Sequence, residues 1–407
     1  MTDTTAPASI EESPQIKRNA LILATASAFG ASAGPIAISL GGLTGIYLLG
    51  PDKSLATLPV SGFMVGVAAG AIPAAMLMRR LGRRTGFIIG SAFGILAGLI
   101  AGSAVVAGSF AGFVVGLATA GFAGAFVQQY RFAAADAGSP AFRAKAISWV
   151  LAGGVAAAVI GPQTVIFTRD LLDPVPFAGA FFAFSVLAFA GMAAVAFLGG
   201  EARGAPRAET RVGGRSLGEI VRQPRFIVAL ICGIGAYSAM SLLMTAAPLA
   251  MVHFHLGQNN AALGIQWHVL AMFAPSFVTG SLIARFGKEP IIAVGLALLT
   301  ACALVALAGV ELMNFWLALI LLGVGWNFGF IGATAMLTET YRPEEKSKVQ
   351  GLNDFLVFGS VALASLSSGR LFSTVGWERI NWVALPIIGV CAIALATVVI
   401  AKRRQAV

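Results

Sequence analysis

The sequence predicts an all-α integral membrane protein in which twelve transmembrane helices form two six-helix bundles around a central cavity. Three observations lead to this fold class. Of the 407 residues, 58% are apolar and only 11% are charged, whereas a soluble domain has about 25% charged residues. Twelve apolar runs each exceed the roughly 20 residues that a spanning helix needs. Basic connections among the first six runs recur among the last six.

The twelve runs follow one another with mostly short connections. They cover residues 19–49, 54–78, 85–105, 108–135, 144–168, 174–199, 226–252, 260–284, 289–310, 313–338, 347–372 and 376–401. The first run is too long for the apolar part of a cleaved signal peptide. We therefore expect a cytoplasmic tail at 1–18, a six-helix bundle at 19–199, a cytoplasmic central loop at 200–224, a second bundle at 225–402 and a cytoplasmic tail at 403–407.

Basic residues are concentrated in every second connection. If the N-terminus is cytoplasmic, 23 of the 27 lysines and arginines face the cytoplasm, and the exceptions are Lys53, Arg169, Arg370 and Arg379. Cytoplasmic connections of membrane proteins are enriched in these residues. We therefore expect a multi-pass protein of the cell inner membrane with both termini in the cytoplasm. The net charge of +10 then reflects membrane anchoring, and no nucleic-acid partner is expected.

Two pairs of basic connections match at nearly constant spacing. Residues 79–84 resemble 284–289, with Gly82 matching Gly287 at an offset of 205. The stretch 136–145 matches 339–348 at an offset of 203. Both glycines lie where a short turn between helices requires a permissive backbone. The parallel offsets predict that the second bundle repeats the first, which is typical of transporters with a central cavity.

In these residues the chain resembles the major facilitator superfamily over essentially its whole length. The family signature between the second and third spans reads Gly-x-Leu-x-Asp-Arg-x-Gly-Arg-Arg. The first copy matches it at Arg80, Gly82, Arg83 and Arg84, and the second at Gly280, Leu282, Arg285, Gly287 and Lys288. The acidic position holds Arg79 in one copy and Ala284 in the other. The resemblance implies alternating access, but the family's gate with that aspartate is not intact.

Charged residues at this surface suggest an inner gate. Its candidate members are Arg80, Arg83 and Asp136 in the first half, and Arg285, Lys288 and Glu339 in the second. Ion pairs among them would form while the inner side is closed and break as it opens. The alternative is that the basic residues only anchor the protein at lipid headgroups.

Polar residues inside spans are costly and usually face a cavity or a partner. Gln128 and Arg131 share a helical face in the fourth run, so we expect both to contact a substrate. Arg131 would bind an anionic or carbonyl-rich group, unless it reaches back to the headgroups. Asp354 is the carboxylate placed well within a span. It is either a proton-coupling site or a structural partner for a basic residue.

Further candidates for substrate contact lie in both halves. Aromatic rings offer flat surfaces for stacking, and a histidine can bind substrate or carry a proton. For each of them, packing between helices is the alternative. The set comprises Trp149, Tyr237, His268, Trp326 and Asn327.

These features favour a secondary active transporter of a small organic solute, coupled to protons and acting as a monomer. No phosphate-binding loop is present, and we expect no cofactor, no metal site and no enzyme activity. The stretches 130–136 and 349–355 resemble a bacterial branch of the superfamily that includes riboflavin carriers, which implies uptake of riboflavin or a similar vitamin. Gly161 and Pro162 match part of a motif of drug antiporters, so efflux of drugs or metabolites is the alternative. A membrane-embedded enzyme is a third hypothesis.

Overall fold

The structure, a computed structural model, describes residues 13–137, 140–199 and 214–405. The N-terminal half consists of α1 (Pro14–Gly30), α2 (Ala33–Leu48), α3 (Leu58–Leu81), α4 (Arg83–Val106), α5 (Phe110–Val127), α6 (Tyr130–Ala137), α7 (Pro140–Thr168) and α8 (Ala178–Ala196). A short helix, α9 (Leu217–Val221), precedes the C-terminal half. That half consists of α10 (Pro224–His253), α11 (Gln258–Phe273), α12 (Ser276–Phe286), α13 (Lys288–Ala308), α14 (Leu312–Leu337), a 3-10 turn (Pro343–Glu345) and α15 (Lys346–Gln405).

The described helices form twelve spans. Ten helical segments are long and apolar enough to cross a membrane, and α11 with α12, bent by 40°, makes an eleventh. The apolar part of α15 has 54 residues and would rise about 80 Å, far more than the ~30 Å core of a bilayer. It is broken at Gly376, where φ is 79°. Hence α15 supplies two spans, and the predicted twelve-helix membrane fold is confirmed.

Several spans are interrupted at residues that disturb regular helix geometry. The first span breaks between α1 and α2, and Pro35 lies in the first turn of α2, where its missing N–H is tolerated. The fourth span breaks at Gln128, which ends α5 before α6 begins at Tyr130. The helix α1 begins at Pro14, inside the stretch that we assign to the N-terminal tail.

Two glycines make the turns that the repeat predicts. Gly82 joins α3 to α4 with φ 82°, and Gly287 joins α12 to α13 with φ 90°. Residues with a Cβ rarely adopt these angles. The matching conformation of the two turns confirms the structural correspondence that the offset of 205 residues indicates.

Close helix contacts hold the N-terminal half together. A Cβ on Gly66 would collide with the backbone of Ala118, and one on Gly121 would collide with the carbonyl of Phe63. Small residues allow such approaches where both helices face lipid tails and hydrophobicity alone does not drive them together. These contacts fix α3 against α5, which places the end of α5 beside the gap between the two halves.

The two ends of the bundle differ in charge. We call the end that carries Arg80, Arg83 and Lys288 the basic face, and the end that carries Thr57 and Gly376 the opposite face. This assignment follows from the alternating direction of the spans and makes no reference to a cellular compartment.

The connection between the halves is attached to the C-terminal half at the basic face. Arg215 donates to both carboxylate oxygens of Glu345 at 3.0 and 2.7 Å and to the carbonyl of Thr340 at 2.9 Å. The backbone N–H groups of Arg215 and Arg342 also donate to Glu345. These donors lower the pKa of Glu345 to about 2, although its side chain is fully buried. The described end of the predicted central loop is therefore held by an ion pair between the half-buried Arg215 and the buried Glu345.

Candidate functional site

A cavity of about 250 Å³ lies between the two halves. Its N-terminal wall comes from α1, α2, α3, α5, α6 and α7, and its C-terminal wall from α10, α11 and α15. Most of the lining is apolar, and the polar members are Ser27, Gln128, Arg131, Tyr237 and Ser241. A mostly apolar cavity with a few placed polar groups is the usual form of a small-molecule site.

Three predicted binding residues meet in this cavity. Gln128 and Arg131 line it from the break between α5 and α6, and Tyr237 lines it from α10. The guanidinium of Arg131 lies 4.8 Å from the ring centre of Phe132 and is exposed at the basic end of the cavity. The break in the helix thus places an arginine in the cavity lining.

An aromatic cluster supports the C-terminal wall. Tyr237 makes edge-to-face contacts with Trp326 at 5.2 Å and with Phe330 at 5.0 Å between ring centres. Trp326 and Phe330 stack at 5.3 Å, and Phe358 lies 6.0 Å from Tyr237. Trp326 is buried behind the described lining of the cavity. It therefore supports Tyr237, which faces the cavity.

Asn327 of α14 is fully buried and forms hydrogen bonds with the bend between α11 and α12. Its Nδ2 donates to the carbonyl of Met272 and to Ser276 Oγ, both at 2.7 Å. Its Oδ1 accepts from Thr279 at 2.6 Å. The residue therefore satisfies the backbone and hydroxyl groups at the bend, and it lies outside the described cavity lining.

Two further predicted residues lie away from the cavity. His268 is fully buried, and its Nδ1 donates to the carbonyl of Leu319 at 2.8 Å. Its Nε2 is buried without a hydrogen-bond partner among the described residues. Trp149 packs edge-on against Phe142 at 5.5 Å, with the ammonium of Lys145 over its ring. In this conformation His268 of α11 contacts α14, whereas Trp149 contacts residues of its own helix, α7.

Asp354 is exposed one helical turn from Phe358, towards the basic face. Asn353 donates to its carboxylate at 3.1 Å. Asp354 and Arg131 also interact electrostatically although they belong to different halves. The predicted coupling residue and the predicted binding arginine are thus close enough to affect each other at the basic end of the cavity.

Two gate residues of the C-terminal half, Lys288 and Glu339, belong to an ion-pair cluster. Lys288 pairs with Glu339, and Arg225 pairs with Glu339 at 2.8 Å and with Glu289 at 2.9 Å. Sequence reasoning missed Arg225 and Glu289. The position of Glu289 directly after Lys288 was a usable signal, since a carboxylate there can replace the acid missing from the signature.

The other gate residues are arranged differently. Arg285 lies over the ring of Phe286 at 5.2 Å. Arg83 donates to the carbonyl of Ala133 at 3.3 Å, and Arg80 is exposed at the basic face. The side chain of Asp136 lies outside the described part of the structure.

Hydrogen bonds between the halves are found near the opposite face. Thr57 Oγ1 donates to the carbonyl of Leu366 at 3.3 Å and accepts from the N–H of Gly369 at 3.2 Å. Gln163 Nε2 donates to Gln266 Oε1 at 2.8 Å. Thr57 is fully buried, whereas Arg131 at the other end is exposed. This conformation is closed at the opposite face and accessible from the basic face.

The methionines of the cavity were not predicted as binding residues. Met64, Met240, Met244 and Met272 line it from three different helices. Because the spans are apolar on all sides, their periodicity does not show which side faces the cavity. Nothing in the sequence singles out these methionines from those that pack between helices.

Comparisons with known proteins agree on one family. The family model described as Major Facilitator Superfamily matches residues 20–353 and 229–406. The riboflavin transporter RfnT of Brucella anthropi is 50% identical over 396 residues, which cover 97% of each chain. The uncharacterized MFS-type transporter YddS of Bacillus subtilis is 30% identical over 87% of this chain and 85% of its own.

Solved structures show the same fold at low sequence identity. A point mutant of the nucleoside transporter NupG superposes with a TM-score of 0.73 at 12% identity, covering 93% of this chain and 99% of its own. The xylose transporter XylE from E. coli, in a partially occluded inward open conformation, gives 0.70 at 11% identity, covering 95% and 98%.

Proposed function

Since the chain belongs to the Major Facilitator Superfamily and is a secondary transporter rather than an enzyme, we propose that it takes up riboflavin. The observation that carries this proposal is the 50% identity to a riboflavin transporter over 97% of both chains. The match covers almost the whole chain, so it includes the helices that line the cavity. Structural neighbours at 11–12% identity support the fold alone.

The cavity suits the chemistry of riboflavin. This vitamin has a flat three-ring system with two carbonyl groups and a flexible chain of hydroxyl groups. The ring of Tyr237, backed by Trp326 and Phe330, offers a flat apolar surface for stacking. Gln128 and Arg131 offer donors to the ring carbonyls, and Ser241 can bond a hydroxyl.

We also propose that the basic face is cytoplasmic and that the membrane is the cell inner membrane. The bias of lysine and arginine supports this orientation. The conformation would then be open to the cytoplasm. The inner-gate residues Arg80, Arg83, Asp136 and Arg285, with the ion pair of Lys288 and Glu339, would change partners as that side closes.

The test of substrate identity is uptake of labelled riboflavin by cells that lack their own riboflavin carrier and synthesis. Expression of the chain should restore growth at low external riboflavin and concentrate the label inside. Export of preloaded label without uptake would instead favour efflux. Absence of both activities, with the protein present in the membrane, would overturn the proposal.

Efflux of drugs or metabolites has little independent support. The feature that suggests efflux is the fragment Gly161–Pro162. Its glycine has a packing role, because a Cβ on Gly161 would lie 2.8 Å from Pro35 Cβ and 3.0 Å from the carbonyl of Ser32. The glycine therefore permits α7 to approach α2, whichever direction the solute moves.

For energy coupling, we propose that Asp354 carries a proton. Its position near the accessible end of the cavity and its interaction with Arg131 support the proposal, since one proton would change the attraction between the two halves. In proteoliposomes, Asp354→Asn should abolish accumulation driven by a pH gradient while exchange of labelled for unlabelled riboflavin continues. Gradient-driven accumulation equal to that of the unchanged protein would remove Asp354 from the mechanism.

A further inference from the structure

A second large depression lies on the outside of the C-terminal half, away from the substrate cavity. It is a groove of about 980 Å³ between α13 and the last part of α15. Exposed alanines form its floor and rim, among them Ala293 and Ala297 of α13 and Ala392 and Ala396 of α15. Pockets for small ligands have volumes of about 300–1,000 Å³, so the groove can hold a sizeable molecule.

The polar side chains among the described lining residues already have hydrogen-bond partners within the protein. Thr300 donates its hydroxyl to the carbonyl of Leu296 at 3.0 Å. The carboxylate of Glu289 accepts from Arg225 at 2.9 Å. What fills the groove along its length must therefore be apolar.

The groove extends over little more than one leaflet of a bilayer. On α13 its lining runs from Glu289 at the basic face to Thr300, a rise of about 16 Å, and on α15 it runs from Leu385 to Val399, a rise of about 21 Å at 1.5 Å per residue. Half of a ~30 Å hydrocarbon core is about 15 Å. The helix α13 continues to Ala308, beyond the end of the groove. A helix from a second copy of the chain would need a surface across both leaflets, whereas an acyl chain needs only this one.

The mouth of the groove is positively charged. Phe286 lines it, and the guanidinium of Arg285 lies 5.2 Å from the ring centre of Phe286. Arg285 is exposed. In the sequence, three basic residues at 402–404 directly follow the part of α15 that lines the groove. Cations at this level attract the headgroups of anionic lipids.

We propose that this groove binds an anionic phospholipid of the basic-face leaflet, with an acyl chain between α13 and α15 and the headgroup phosphate at Arg285. The bound lipid contacts two spans, α13 and the last part of α15, which both belong to the C-terminal half. It stabilises that half without entering the substrate cavity, so the proposal does not depend on which solute is carried.

The test uses the purified full chain, stripped of lipid in detergent and titrated with phosphatidylglycerol or phosphatidylcholine of the same acyl chains. Native mass spectrometry counts the bound lipids. Ala396→Phe fills the groove, and Ala193→Phe is its matched control, because Ala193 is an exposed residue of α8 one repeat of 203 residues earlier. Arg285→Gln removes the headgroup contact.

The unchanged protein and Ala193→Phe should both retain phosphatidylglycerol in preference to phosphatidylcholine. Ala396→Phe should bind both lipids about tenfold more weakly, and Arg285→Gln should lose the preference by a similar factor, as expected from one charge-assisted contact. Retention of phosphatidylglycerol by both variants at the level of the unchanged protein overturns the proposal. Loss of a dimer in Ala396→Phe, with lipid binding intact, would instead identify the groove as a contact between copies. Should Ala396→Phe fail to fold, Arg285→Gln alone decides.

Discussion

Arg131 combines two properties. It lines the cavity, and it interacts with Asp354 of the other half. In the internal repeat, Thr334 occupies the position 203 residues later, so the arginine is specific to one half. A charge present once in a duplicated scaffold can orient a substrate with different ends, which two equivalent residues could not do.

We predict that Arg131→Gln weakens riboflavin binding about 10- to 100-fold, because a hydrogen bond from a charged group contributes about 1.5–3 kcal/mol. Titration of the purified protein by flavin fluorescence measures the affinity. Arg84→Gln is the control, since it makes the same change of charge at the basic face, where Arg84 donates to the carbonyl of Ala196. Equal affinity of the Arg131 variant and the unchanged protein would show that the guanidinium does not contact the substrate.

The bend between α11 and α12 depends on a side chain from a third helix. Asn327 of α14 supplies two donors and one acceptor to residues at the bend. Asn327→Leu leaves those groups unpaired, which costs about 1–3 kcal/mol for a buried group. We expect a lower Tm in detergent.

Asn381→Leu is the comparison for this change. Asn381 is also fully buried, but its Nδ2 donates within its own helix, to the carbonyl of Trp377. The Asn381 variant should lose less stability than the Asn327 variant. Similar Tm values for both would mean that the bend does not rely on Asn327.

The attachment of the central connection gives a prediction for pH. The pKa of Glu345 is lowered to about 2 from an ordinary value near 4.5, chiefly by its hydrogen bonds with Arg215. Its contribution to stability is therefore complete above about pH 4.5 and is lost as the pH falls towards 2. Glu345→Gln should lower the Tm at pH 7, and the difference from the unchanged protein should shrink below about pH 4.5.

The neighbouring Glu344 provides the control for this experiment. Its side chain is exposed, so Glu344→Gln should leave the Tm nearly unchanged at every pH. A Tm difference for Glu345→Gln that stayed constant down to about pH 2 would show that the ion pair does not contribute to stability as a charged pair.

Sequence reasoning predicted the elements better than the orientation of side chains around helix axes: Gln128 and Tyr237 line the cavity as expected, whereas Trp326 lies outside the described lining. The number of spans and the turns at Gly82 and Gly287 followed from composition and from the repeat, because these features depend on position along the sequence. Whether Trp326 reaches the cavity or packs behind Tyr237 depends on the rotation of α14 about its axis, and an apolar helix carries no periodic signal for that rotation. The same reason explains why His268 and Asn327, predicted to contact substrate, make contacts between helices in this conformation.

The two halves are hydrogen-bonded to each other where the opposite face closes. Thr57 contributes two hydrogen bonds across the gap, to the carbonyl of Leu366 and from the N–H of Gly369. Alternating access requires both to break when the opposite face opens. Their free energy therefore belongs to one end state only and biases the equilibrium between the two.

We predict that Thr57→Val shifts the protein towards the state open at the opposite face, because valine keeps the shape of threonine and lacks its hydroxyl. Loss of one or two hydrogen bonds, at about 1 kcal/mol each, changes the ratio of the states about 5- to 30-fold. Spin labels at Leu171→Cys and Met313→Cys, both exposed near that face and in different halves, report the separation, and the native cysteines are buried. Thr57→Ser retains the hydroxyl and should keep the shorter distance. A distance distribution unchanged by Thr57→Val would place the control of this closure elsewhere, with the hydrogen bond between Gln163 and Gln266 as the next pair to change.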